Sequence, residues 1–305
     1  MTSGDDISAY QPHVRYDLRT GICLVLLAMF FQALRSVLAK WLLIRGISQN
    51  EIVFFQASGA LIILGPWILA SRVKLKVTGK VKDYAARIIA GFLTMYLFIW
   101  CLKYTSTAKG ILLNNTAPLF IPFFTMMMFG RRHSPRLFAA LLTGFVGIIL
   151  ILKPDPGKMN LGDILGLASG FFAGLTMIFI RILKKNGEER TRTIIFHYIM
   201  STFIISAVLS AGSWATPSGG MTWAAIAALA IVYSGFQLTY TSAFAHAPAS
   251  VLSPFAYFGV VFAVFLDWGV WGTVPGIGSA AGMVLVVLGA VSAARIYDKV
   301  YVQLR

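Results

Sequence analysis

Residues 20–43 read TGICLVLLAMFFQALRSVLAKWLL. A helix of ~20 mostly apolar residues crosses a ~30 Å hydrocarbon core, and this run is long enough to do so. The residues before it are polar and mixed in charge, and Arg35 and Lys40 lie within it, so it reads as a retained signal-anchor helix rather than a cleavable leader. Similar runs follow at about 51–71, 84–103, 106–128, 136–152, 162–182, 193–212, 222–243, 249–271 and 275–294. Between them stand short connectors with breakers, among them Arg45-Gly46, Lys153-Pro154-Asp155-Pro156-Gly157, Thr216-Pro217-Ser218-Gly219-Gly220 and Val274-Pro275-Gly276. The composition agrees. Of 305 residues, 58% are hydrophobic and 12% charged, with a mean hydropathy of +0.77, whereas soluble domains carry roughly 25% charged residues. The expected fold is an all-α polytopic membrane protein of ten transmembrane helices.

The net charge of +15 does not indicate nucleic-acid binding, because the cations follow a topological pattern. With ten spans and both ends on one side, 18 of the 26 Lys and Arg fall on that side, including Arg72, Lys74, Lys76, Lys80, Lys82 and Arg87. Five fall opposite (Arg45, Lys103, Lys109, Lys153, Lys158) and three (Arg35, Lys40, Arg181) within spans. The positive-inside rule then places both termini in the cytoplasm, with the chain in the inner (plasma) membrane. Nine or eleven spans would scramble the alternation.

The chain also repeats itself at an offset near 142 residues. Lys103-Tyr104-Thr105-Ser106-Thr107-Ala108 and Ala245-His246-Ala247-Pro248-Ala249-Ser250 straddle matching helix junctions, and Gly147 maps onto Gly289. Five spans is an odd number, so the second copy must enter from the opposite face, giving two inverted five-helix repeats. The expected organisation is a cytoplasmic tail over 1–19, repeats over 20–152 and 162–294, and a cytoplasmic tail over 295–305.

At these junctions the sequence resembles the drug/metabolite transporter superfamily, specifically its EamA-type ten-helix carriers. The motifs are Ala243-Phe244-Ala245-His246-Ala247-Pro248-Ala249-Ser250-Val251-Leu252-Ser253-Pro254-Phe255, Ala117-Pro118-Leu119-Phe120 and Gly144-Phe145-Val146-Gly147. The Gly-Glu pair often found after the fourth and ninth helices of such carriers reads Gly130-Arg131 and Gly272-Thr273 here, so no role of that glutamate carries over. The resemblance implies alternating-access transport of a small metabolite.

Polar groups inside a bilayer are costly, and each asks for a reason. Arg35 sits mid-span with Gln32 on the same helical face. Either its planar fork anchors a substrate carboxylate, or it is structural, bonded to backbone carbonyls or a nearby Gln, or snorkelling outward. Lys40, nearer the outer boundary, reads as a snorkelling residue. Asn114 and Asn115 precede Pro118, whose ring leaves a carbonyl one turn earlier without its donor. Gln56 and Gln237 serve either as interhelical bonds or as ligand contacts. Tyr96, Trp100, Tyr104, Tyr233, Tyr240 and Tyr257 are candidates for an aromatic wall, packing being the alternative for each and an interfacial anchor a further one for Tyr104 and Tyr257. The carboxylates Glu51, Asp155, Asp163 and Asp267 fall at or near span ends, which argues against ion coupling. Gly166, Gly170 and Gly174 form a packing ladder, and Gly278 with Gly282 another. His197 reads as an interfacial histidine, a proton carrier being the alternative, and His246 as part of a short cytoplasmic turn.

The resulting expectation is a secondary transporter for a small carboxylate-bearing metabolite, amino acids first, working as a facilitator or exporter. Its expected substrate-binding residues are Gln32, Arg35, Gln56, Tyr96, Trp100, Asn114, Asn115, Tyr233, Gln237 and Tyr257. An exchanger of phosphorylated or nucleoside-containing solutes is the alternative. A membrane-embedded enzyme would need a nucleophile–base pair or a metal-ligand set, and the sequence has no HExxH or Gly-x-Ser-x-Gly motif and only four scattered histidines. Cys23 and Cys101 lie in apolar runs and form no metal-ligand set. No cofactor or metal is expected. The expected partners are a small-molecule substrate and the lipid bilayer, with no nucleic acid. The oligomeric state stays open and a monomer is compatible.

Overall fold

The computed structural model describes residues 17–71, 81–105, 107–130, 134–152, 160–184, 191–212, 214, 216–247, 249–272 and 276–302. Residues 1–16, 72–80, 131–133, 153–159, 185–190 and 273–275, which carry part of the charge count and several breakers, lie outside the described residues.

The helices are α1 (Leu18–Ile44), α2 (Gln49–Ala70), α3 (Val81–Tyr104), α4 (Thr107–Asn114), α5 (Ala117–Phe129), α6 (Pro135–Leu152), α7 (Leu161–Lys184), α8 (Thr191–Ser210), α9 (Gly220–His246), α10 (Ala249–Leu252), α11 (Phe258–Trp271) and α12 (Ile277–Val302). A 3-10 turn, Ser253–Tyr257, joins α10 to α11. Among the described residues eight segments are long and apolar enough to cross a membrane, and the shorter apolar helices Pro135–Leu150 and Ala281–Ser292 bring the total to ten.

Two of the ten spans are broken rather than continuous, which the apolar runs 106–128 and 249–271 do not reveal. The fourth stops at Asn114 and restarts at Ala117, with Pro118 in the first turn of α5. Pro118 has no N–H to return to the Asn114 carbonyl. The ninth span tightens into the 3-10 turn around Pro254. Both continuations end alike: the N–H of Gly130 (φ 64°) bonds to the Met126 carbonyl and that of Gly272 (φ 68°) to the Trp268 carbonyl, each at 2.9 Å. A left-handed residue at a helix end favours glycine because it lacks a Cβ.

Helix pairing expresses the repeat. α1 packs along α9 and α3 along α7, while α6 pairs with α12 and α2 with α8. Exchanging each span for the one five further on converts the first pairing into the second and maps the other two onto themselves. The α6–α12 crossing brings the backbones together. A Cβ on Gly147 would lie 2.6 Å from the Gly282 carbonyl oxygen, and one on Gly289 would lie 2.6 Å from the Gly144 nitrogen. The ladder on α7 has a comparable use. A Cβ on Gly170 would lie 2.6 Å from the Leu113 carbonyl and 3.1 Å from that of Asn114, so small residues let the broken fourth span seat against α7.

Two cations mark opposite ends of this arrangement. Lys40 Nζ donates to the carbonyls of Leu102 (2.5 Å) and Thr105 (2.9 Å) at the C-terminal end of α3. Arg181 Nη1 donates to the carbonyl of Phe244 (3.0 Å) near the end of α9. The two are counterparts in the repeat. Lys40 is therefore not merely snorkelling, because the last carbonyls of a helix have no intrahelical donors and are negative in potential. Lys40→Met should cost about 1–3 kcal/mol, read as a lower melting temperature of the purified protein in detergent. An unchanged melting temperature would mean that water replaces the ammonium.

The acidic residues work mainly at helix starts. Ser48 and Glu51 form a reciprocal capping box on α2. Asp163 accepts from the Asn160 backbone N–H at 3.0 Å and pairs with Lys109 at 2.7 Å.

Candidate substrate-binding site

The broken fourth span, the 3-10 turn of the ninth, and helices α1, α3, α7, α8 and α9 converge on one cavity. Half-helix ends and irregular backbone at membrane depth occur where protein buries them or where they line a cavity. The volume open to the centres of water-sized spheres is about 50 Å³. That holds a few waters, so a metabolite needs the helices to part.

Arg35 enters from α1 and is only 5% exposed. Its guanidinium carbon lies 5.0 Å from the ring centre of Phe236, 5.6 Å from Phe98 and 5.7 Å from Tyr233. Such ring faces attract a cation but accept none of its hydrogen bonds in the plane of the fork. Nε has no hydrogen-bond partner, and among the described residues no carboxylate reaches the group. It neither snorkels nor caps a helix. Gln32, its neighbour one turn earlier, is already engaged: its Nε2 donates to Asn114 Oδ1 at 2.9 Å, and Asn114 Nδ2 donates to Ser169 Oγ at 3.1 Å. This chain of buried amides ties α1, α4 and α7 together at the break in the fourth span. Asn115 Nδ2, Gln237 Oε1 and the Tyr233 hydroxyl are buried without partners. Buried polar groups are nearly always paired, so those that border the cavity call for a water or a ligand.

Of the residues expected from the sequence, Gln32, Arg35, Asn114, Asn115 and Gln237 line this cavity. Tyr233 stands behind Arg35, fully buried. The rest lie elsewhere. The Tyr96 hydroxyl donates to Asn50 Oδ1 (2.8 Å) in the first turn of α2, and Trp100 packs on the Tyr96 ring at 6.0 Å. Gln56 is buried within α2 with both amide atoms unpaired. Tyr257 donates to the Leu141 carbonyl (3.3 Å), its ring filling the space that a Cβ on Gly144 would occupy. His197 is held by its Nδ1 contact to the Thr193 carbonyl at 2.9 Å.

Sequence reasoning missed several lining residues, Arg87, Thr94, Thr176 and Tyr198 among them. Arg87 corrects the charge count, where it stood with the connector cations. It is 2% exposed and lies on α3 with its fork turned inward over Gly91. The signal was available, because residue 87 lies inside the apolar run beginning at 84. Thr94 Oγ1 and Thr176 Oγ1, 3.5 Å apart, bridge α3 and α7; isolated threonines in apolar runs carry no comparable signal.

A model of the EamA-like transporter family matches twice, over residues 19–153 and 160–294. The chain belongs to that family. Among relatives, this EamA-like transporter is 25% identical to the pseudopaline exporter of Pseudomonas aeruginosa over 91% of its own length and 97% of that protein. It is 24% identical to a riboflavin transporter of Vibrio cholerae over 75% of this chain and 77% of the other. It is 22% identical to the human solute carrier family 35 member G1, covering 90% and 78% respectively. A solved crystal structure matches 92% of the EamA-like chain and 99% of its own, with a TM-score of 0.74 at 17% identity, and so shares the fold. The protein is accordingly a multi-span helical membrane transporter for a small molecule.

Proposed function

We propose that this transporter carries a small carboxylate-bearing metabolite across the inner membrane by alternating access, with amino acids the first class to test. The observation that carries the reading is Arg35: a buried guanidinium facing the central cavity with no carboxylate or carbonyl partner among the described residues. A buried charge left unpaired is costly, and a bidentate substrate carboxylate is the partner its planar fork fits best. Gln237 and Asn115 supply uncharged hydrogen-bonding groups, and Met29, Phe236 and Tyr240 accept an apolar moiety. The relatives named for pseudopaline export and riboflavin transport support solute movement as the general activity. Both termini lie in the cytoplasm in this reading, and removing Arg87 from the count leaves the cation bias intact. Glu51 and Asp163 are used at helix starts, and Asp267, whose Oδ1 is buried without a partner late in α11, does not line the central cavity; this supports a facilitator or exporter over an ion-coupled carrier.

The test is transport by purified protein in proteoliposomes. The panel comprises labelled amino acids, their esters, riboflavin and nucleotide conjugates, with and without an imposed pH gradient. Free acids should move and esters should not, with no dependence on the gradient. Movement confined to nucleotide conjugates or to uncharged solutes would overturn the carboxylate reading.

A further inference from the structure

The cavity holds a second buried cation that the carboxylate reading above does not use. Arg87 lies in the second turn of α3, close to one end of its span. From such a position an arginine ordinarily extends its head towards the interface, where hydration costs nothing. Arg87 does the opposite. Its guanidinium folds back over Gly91, one turn deeper, where a Cβ would meet Nη1 and would lie 2.7 Å from the Tyr198 ring. Glycine at 91 thus leaves the groove in which the fork lies. Tyr198 of α8 covers its face, with the guanidinium carbon 4.1 Å from the ring centre, and the Tyr198 hydroxyl is anchored by donating to the Gly91 carbonyl at 3.0 Å. Nε and Nη1 are buried without hydrogen-bond partners. Asp83, one turn earlier on the same helix, does not pair with it, nor does any other described carboxylate. Gly91, Tyr198 and Arg87 all border the cavity that Arg35 borders.

Two desolvated guanidiniums in one small cavity repel each other, and among the described residues neither has an anion beside it. Each is stacked on its own aromatic set, Tyr198 for Arg87 and Phe98, Tyr233 and Phe236 for Arg35. They therefore present two separate forks rather than one converged clamp. We infer that Arg87 is a second substrate-binding residue and that the transported solute carries two carboxylates, one for each arginine. This rests on the carboxylate reading and narrows it: among amino acids it selects the acidic ones, and beyond them dicarboxylates.

The experiment compares succinate with succinamate, which keeps the skeleton but replaces one carboxylate by an amide, and adds glycerol phosphate as a single-phosphate probe. Binding is read as thermal stabilisation of the full-length protein in detergent. Wild type should respond to succinate at a concentration at least about tenfold lower than to succinamate or glycerol phosphate, since the loss of a charged hydrogen-bonding partner is worth a decade or more. Arg87→Gln should bind the two succinate derivatives alike, Arg87→Lys should keep part of the preference, and Gly91→Ala, by displacing the fork, should resemble Arg87→Gln. Monodispersity on size exclusion checks the fold of each variant, and the wild-type comparison stands whatever the variants do. Equal wild-type responses to succinate and succinamate would remove the second site and leave the monocarboxylate reading in place. A response to neither would also remove the second site, leaving the carboxylate reading to the proteoliposome panel. A preference for glycerol phosphate, or discrimination retained by folded Arg87→Gln, would also overturn the inference.

Discussion

Arg35→Leu should abolish transport while leaving the empty protein about as stable as wild type, or more so. Losing one partner of a desolvated, hydrogen-bonded charge pair costs about 2–5 kcal/mol, and every 1.4 kcal/mol is a factor of ten in affinity, so substrate binding should weaken by roughly 1.5 to 3.5 orders of magnitude. The stability side has the opposite sign for a physical reason. The guanidinium is almost wholly buried, its Nε has no acceptor among the described residues, and three ring faces compensate in part. Desolvation of an ion in a protein interior costs several kcal/mol, against about 0.5–2 kcal/mol for a cation–π contact. A leucine packed against Phe98, Tyr233 and Phe236 avoids that cost. Arg35→Lys is not a conservative control, because a point ammonium cannot reproduce the planar fork. Proteoliposome uptake and melting temperature are measured on the same preparation. Normal uptake by Arg35→Leu would remove Arg35 from the site. Lost uptake with a large fall in melting temperature would assign it a structural role.

Gly147→Val and Gly289→Val should each destabilise the protein by about 3 kcal/mol or more, at or beyond the upper end of ordinary overpacking. The atoms in the way are backbone. At 147 they are the Gly282 carbonyl at 2.6 Å and the Val286 nitrogen at 2.9 Å, and at 289 the Gly144 nitrogen at 2.6 Å and the Ala140 carbonyl at 2.8 Å. A side chain can rotate out of a collision, but a helix backbone moves only as a unit, so α6 and α12 must separate along their crossing. Gly65→Ala in α2 provides the contrast. Its new methyl would meet the Leu61 side chain at ordinary contact distance, Cδ1 at 3.7 Å and Cγ at 4.0 Å, and the change should stay within about 0.5 kcal/mol. Monodisperse yield and melting temperature in detergent check all three. Wild-type behaviour of Gly147→Val would mean that the α6–α12 crossing is looser than its geometry.

The legible part of the site was the part whose anomaly is local. Arg35 stands out because mid-span arginine is rare whatever surrounds it, and Asn114-Asn115 stand out beside Pro118 because proline frees a nearby carbonyl. Arg87 was misread because span ends are where connector cations belong, and its inward turn depends on Gly91 below it and on Tyr198 from another helix. Tyr96, Trp100 and Tyr257 illustrate the converse. An aromatic residue in an apolar run carries no indication of direction, and these three point to Asn50, to each other and to the Leu141 carbonyl instead of the cavity.

The sequence by itself determined the ten crossings, the basic bias of one face, the doubled unit at an offset near 142 and the suspicion attached to Arg35. Each of these is a sum over a segment or a contrast within one, and hydrophobic length and charge are additive along the chain. Only the tertiary structure decided which faces of the helices meet. Helices such as α1, α2 and α9 are apolar around nearly their whole circumference, so no polar face records their rotation. The interlocking of glycines with neighbouring backbones, the use of Lys40 and Arg181 on orphan carbonyls, and the meeting of Arg35 and Arg87 in one cavity all follow from that packing.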